Sequence, residues 1–172
     1  MNRESRIENR ESKQTAASAV STFEDLEVYR VAREFRRAMY RVARDLPETE
    51  KFCLAGQIRR AAVSLTNNIA EGHGRFHFLD QIKFNLQARG SLQELIDDLN
   101  TCEDEEYLSR NKISALKEQG WRTRRLIDGY NRYLRSQRAA AESRVGEEPR
   151  EGDWPDVHPI HDSRFTIHGI NQ

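Results

Sequence analysis

The stretch Q57-I-R-R-A-A-V-S-L-T-N-N-I-A-E-G-H-G-R75 decides the fold. Taken with Leu54 just before it, Ile58, Ala61, Leu65 and Ile69 recur at three- and four-residue spacing, one face of an α-helix. Ala55, Gly56, Ala62, Ser64 and Ala70 widen that face with small side chains, so a second helix can approach closely. Gly72 and Gly74 follow the last apolar position as a stop, with positive φ expected there. Between the apolar positions stand Arg59, Arg60, Asn67, Asn68 and Glu71, polar residues in a helix that must be covered on more than one side. A helix of this kind belongs in a bundle, and its neighbours can be sought on either side.

Upstream, Thr22 and Asp25 have capping-box spacing, and Val28, Val31, Phe35, Met39, Val42 and Leu46 give a helix from about Thr22 to Asp45, ended by Pro47. The decisive stretch then lies in a helix from about Glu48 to Glu71. Downstream, Phe84, Ala88, Leu92, Leu95, Leu99 and Cys102 mark a third helix from about Leu79 to Tyr107. Gly90 in its middle costs about 1 kcal/mol relative to alanine, which predicts a tight crossing at that point. Acidic Glu103–Glu106 close this helix, against the preference of the helix dipole. A fourth helix from about Asn111 to Arg138 turns Ile113, Leu116, Gly120, Ile127, Tyr130 and Leu134 inward. Short connections between four helices predict an all-α, up-down antiparallel four-helix bundle.

The flanks differ in character. Residues 1–21 are polar and without apolar period, as expected of a disordered arm. Residues 139–172 hold three of the four prolines and read as an extended acidic tail carrying apolar beads such as Trp154 and Phe165. The bundle region, 22–138, has 21 Lys/Arg against 18 Asp/Glu, and 139–172 has three arginines against seven acids, so the net charge of zero is a cancellation. A basic body tethered to an acidic tail predicts that the tail folds back over the arginines and competes for them.

The two cysteines, Cys53 and Cys102, lie in apolar helical surroundings, and the opening MNRESRIENRESKQ has no apolar core. No run approaches the ~18 apolar residues that span a bilayer. A soluble cytoplasmic protein with no membrane contact and reduced thiols is expected.

Three blocks, FEDLEVYRVAREF at 23–35, QIRRAAVSLTNNIAEGHGR at 57–75 and KFNLQARGSLQELIDDL at 83–99, resemble the bacterial four-helix family of 23S rRNA intervening-sequence proteins. That family is similar in turn to the accessory variability (Avd-like) proteins of diversity-generating retroelements. The resemblance implies a ring-shaped homopentamer. Its retroelement branch implies a reverse transcriptase and RNA or DNA as partners. Thr66 stands where the family usually has proline, so a kink there is in question.

Two sets of residues follow. Arg59, Arg60, Asn68, Ile69, Glu71, Gly72, Gly90 and Glu94 are expected to pair helices and direct assembly, with Arg59 and Arg60 facing Glu71, Glu94 or Asp97 and Asp98. Arg30, Arg33, Arg37, Arg41 and Arg44 share one face of the first helix. With Arg122, Arg124, Arg125, Arg132, Arg135 and Arg138 of the fourth they form the candidate nucleic-acid surface. The rival reading is a purely structural oligomer with no nucleic-acid binding.

Catalysis and metal binding are not expected. His73 and His77 straddle a glycine turn, and His158, His161 and His168 lack cysteine partners. The acids Asp97–Asp98 and Glu103–Glu106 are neighbours in sequence and cannot all face one site. No Glu-x-x-His pair supports a di-iron bundle, and the glycines lack phosphate-loop spacing. No cofactor is expected.

Overall fold

The computed structural model describes residues 22–145, and among these it is all-helical. Four long helices follow one another: α1, Glu27–Asp45; α2, Leu54–His73; α3, Phe78–Asp104; and α4, Arg110–Val145. Each packs against its sequence neighbour, and α4 closes the ring against α1. The directions alternate. Arg59 near the start of α2 reaches Ala43 near the end of α1, and Gly72 near the end of α2 meets Gln81 near the start of α3. Lys117 of α4 pairs with Glu103 at the end of α3 (2.9 Å), and Lys112 with Asp45 at the end of α1 (3.6 Å). This is the up-down arrangement that the short connections require.

The first helix starts in two steps. Thr22 and Asp25 form the expected capping box over a 3-10 turn, Phe23–Asp25. Leu26 is then extended before α1 begins, and its buried side chain secures the entry. After Pro47 a second 3-10 turn, Glu48–Glu50, precedes α2, which therefore starts later than the apolar pattern alone indicates. Glu50 accepts from the amide of Leu54 (3.2 Å) and from the hydroxyl of Tyr107 (3.1 Å), fastening the start of α2 to the α3–α4 connection.

The core comprises Phe35, Met39 and Val42 from α1, Ile58, Leu65 and Ile69 from α2, Leu92, Leu95 and Leu99 from α3, and Ile113 and Ile127 from α4. Truncating one of the largest of these to alanine costs about 3–5 kcal/mol. Helix α2 runs unbroken through Thr66, whose hydroxyl donates back to the carbonyl of Val63 (3.2 Å), so no kink forms there.

Two glycine expectations are corrected. Gly90 is solvent-exposed, and a β-carbon built on it would meet nothing within 4 Å among the described residues, so none of the four helices crosses there. The tight crossing belongs to Gly120 of α4, where a β-carbon would lie 2.5 Å from Cδ1 of Ile96 and 3.3 Å from Cζ of Phe35. Gly74 ends α2 with φ of −73°, an ordinary right-handed value, and Gly72 remains inside the helix. Gly72 serves proximity instead: a β-carbon there would come within 3.0 Å of Cβ of Phe84.

The acidic end of α3 also acquires a reason. The amide of Tyr107 donates to the carbonyl of Cys102 and that of Glu106 to Glu103, closing the helix with Glu106 in the left-handed region at φ 55°. Glu105 and Glu106 thus lie beyond the last turn, and Lys117 holds the Glu103 carboxyl below its usual range by a hydrogen bond.

Helix α4 extends seven residues past Arg138, the expected limit of the bundle, and the side chains of residues 135–143 are exposed. The arm 1–21 and the part of the acidic tail after Val145, with the expected fold-back, lie outside the described residues.

Candidate functional site

The arginine face of α1 is not flat. Where α1 and α2 lie side by side, a groove of about 790 Å³ opens, lined by Arg36, Arg37, Tyr40, Arg41, Arg44, Arg59 and Val63. Five of the seven lining residues are arginines, and no carboxylate is among them. Two of these arginines are held by neutral acceptors. Arg36 donates from Nη1 to Oγ1 of buried Thr66 (2.8 Å), and Arg59 donates from Nη2 to the carbonyl of Ala43 (3.0 Å). These bonds orient the guanidiniums without neutralising them. Arg44 approaches Asp45 at 3.5 Å, while Arg36, Arg37, Arg41 and Arg59 make no ion pair among the described residues. Like charges gathered in one concavity raise the local potential and favour an anion.

The eleven arginines expected to form one surface divide. Arg37, Arg41 and Arg44 line the groove, while Arg33 is exposed elsewhere on α1. Arg30 is occupied, donating to the carbonyls of Glu24 (3.0 Å) and Asp25 (2.8 Å), so it pins the opening turn. None of the α4 arginines reaches the groove, whose walls are α1 and α2. Arg124 pairs with Asp128 (3.7 Å), Arg125 with Glu118 (2.9 Å) and Arg138 with Glu142 (2.7 Å). Arg122, Arg132 and Arg135 are exposed, without an ion pair among the described residues.

Sequence periodicity missed Arg36, Tyr40 and Thr66. Arg36 adjoins the solvent-face Arg37, and only the position of α2 shows that its head turns along the groove wall.

The assembly set is likewise redistributed. Asn68 donates to the carbonyl (2.9 Å) and hydroxyl (3.1 Å) of Ser64, and Ser64 accepts from Ser91 across the helix pair (2.8 Å). Ile69 is fully buried. Glu71 pairs with Arg75 of the following turn rather than with Arg59 or Arg60, and the Arg75 guanidinium lies over the Phe84 ring at 4.8 Å. Arg60 shares a smaller groove of about 360 Å³ between α2 and α3 with Gln57, Ala61, Glu94, Asp97 and Asp98, though no ion pair closes there. Asp98 is pushed up to about 6, first by burial and then by the negative charges of Asp97 and Glu94. One turn on, burial, with Asp98 and Glu50, pushes the Cys102 thiol up to about 11.

His73 ends α2 and His77 precedes α3. Among the described residues no three His, Cys, Asp or Glu side chains group as a metal site, and no helix is long and apolar enough to cross a membrane.

The family description of the 23S rRNA-intervening sequence proteins matches residues 24–129. The chain belongs to that family. Among solved structures, it is similar to a protein of unknown function from the S23 ribosomal protein family of Bacteroides thetaiotaomicron VPI-5482, solved at 1.70 Å, with a TM-score of 0.57 and 21% identity. That similarity covers 60% of this chain and 97% of the other, and at this identity it speaks for the fold. No curated protein matches. The matched segment ends at Gly129, so the last turns of α4 lie beyond the family core.

Proposed function

We propose that this family member is a non-enzymatic, oligomeric accessory protein of the cytoplasm that binds nucleic acid through the α1–α2 arginine groove. The observation that carries the reading is the groove lining: five arginines, no carboxylate, and two guanidiniums oriented by neutral acceptors. Phosphate oxygens complement such a lining, because guanidiniums donate to them bidentately and gain most where charge is uncompensated. The Avd-like resemblance adds a reverse transcriptase as a protein partner that would bring such a strand to the groove.

Assembly into a ring of five is part of the proposal. Leu79 and Leu86, two turns apart on α3, and Phe76 just before it are exposed, and an adjoining copy would cover them. Light scattering should then give about five times 20.1 kDa, and a clean monomer at micromolar concentration would refute the ring.

The binding test is salt titration. Four or five neutralised phosphates give a slope of log K against log salt on the order of −3 to −4. Replacing Arg37 and Arg41 with Glu should remove binding while leaving the oligomer mass unchanged. Equal affinity of wild type and variant would refute the groove as the binding site, and no binding by wild type at low salt would favour the purely structural oligomer.

A further inference from the structure

The arginine groove does not end at Tyr40. Tyr40 is 41% exposed, and it also lines a second hollow of about 550 Å³ that continues along α2. Tyr40, Arg59 and Val63 line both hollows, and the second adds Arg60, Ser64, Asn67 and Asn68. The two hollows differ in chemistry: the first is lined mainly by guanidiniums, whereas the second joins Arg59 and Arg60 to two amides and a hydroxyl, with Tyr40 and Val63 shared by both. Asn67 is exposed and makes no hydrogen bond among the described residues, so its amide has a donor and an acceptor to offer.

Resting on the proposed function, we propose that this double hollow is a nucleotide subsite for single-stranded nucleic acid: phosphates lie in the arginine groove, one unpaired base stacks on Tyr40, and its edge meets Asn67. The lining offers a partner for each part of a nucleotide: guanidiniums for the phosphate, the Tyr40 ring for the face of the base and the Asn67 amide for its edge. A duplex satisfies only the first part, because its bases are stacked on one another and unavailable to a side-chain ring. Single-strand sites join a cationic track to an aromatic platform, and every base has a face that can stack. Tyr40 can therefore act without reading sequence, while Asn67 supplies a preference among bases. RNA and DNA share this chemistry, and the 2′-hydroxyl separates them.

The experiment uses the full chain with ten-nucleotide oligo(U), oligo(dT) and oligo(dA), and a ten-base-pair duplex, in fluorescence anisotropy at several salt concentrations. Wild type should bind a single strand at least ~10-fold tighter than the duplex. A stacked base contributes a factor of roughly 5 to 150, so Tyr40→Ala should weaken single-strand binding by that factor. Duplex binding and the salt slope should stay the same, and Tyr40→Trp should restore affinity. Asn67→Ala should narrow the difference between oligo(dT) and oligo(dA). Single-strand affinity untouched by Tyr40→Ala, while Arg37→Glu with Arg41→Glu removes it, would overturn the stacking subsite and leave the phosphate groove standing. No binding of any oligonucleotide by wild type at low salt would overturn both. Circular dichroism of each variant shows whether the fold is intact, and the exposure of both side chains makes these substitutions mild.

Discussion

Asp98→Asn should stabilise the protein at neutral pH and do little in acid. Asp98 lies half-buried in the α2–α3 groove, and its Oδ2 is buried with no hydrogen-bond partner among the described residues. Burial, followed by the charges of Asp97 and Glu94, raises its pKa from 3.8 to about 6. The folded state thus holds this proton more tightly than the unfolded chain. Stability must then fall as pH rises from about 4 to about 6, with the full penalty present above that window. Two pKa units correspond to about 3 kcal/mol as a ceiling. The residue is partly exposed, and screening reduces this to about 1–2 kcal/mol. Asparagine keeps the shape, removes the charge and brings a donor toward Asp97 and Glu94. Urea unfolding at pH 7.5 should show the gain, corresponding to a Tm rise of roughly 3–10 °C, and at pH 4 the two proteins should nearly coincide. Asp97→Asn, which removes only the second cause, should give a smaller gain of the same sign. An equal gain at both pH values, or none at pH 7.5, would show that Asp98 is not held in this strained ionisation.

Other perturbations probe the fold directly. Gly90→Ala should stabilise by about 1 kcal/mol, because an exposed helical glycine gains propensity and meets no neighbour; Gly120→Leu should instead cost at least roughly 1–3 kcal/mol in a denaturant melt, since Ile96 and Phe35 occupy the space. Asn85 is 1% exposed, and neither amide atom is hydrogen-bonded among the described residues, so Asn85→Leu should raise the melting point, by about 1–3 kcal/mol of stability; a comparable loss would mean the amide has a partner. Of the two cysteines, exposed Cys53 should react with a thiol reagent in the native protein, whereas buried Cys102, its pKa pushed up to about 11, should react only in denaturant.

Much of this molecule is legible along the chain. Apolar spacing places the four helices and nearly all of the core, because burying one face at a 3.6-residue period is a local requirement that the sequence must meet by itself. The Thr22–Asp25 capping box and the stop at Pro47 are equally local. What the sequence does not determine is which polar side chains meet. Arg36 and Arg37 are neighbours in the chain, yet only one has Thr66 within reach, and that depends on where α2 lies. Gly90 and Gly120 are both mid-helix glycines, and nothing in their own segments tells that the first faces solvent and the second faces Ile96 and Phe35. The arginines of α1 and α4 look equivalent as charge runs. Packing gives three of the first set a groove shared with α2, whereas three of the six in the second set pair with carboxylates on their own helix. Helix position follows from burial summed along a segment, whereas the partner of a side chain is fixed by the rotation of two helices about their axes, a property of the assembled bundle alone.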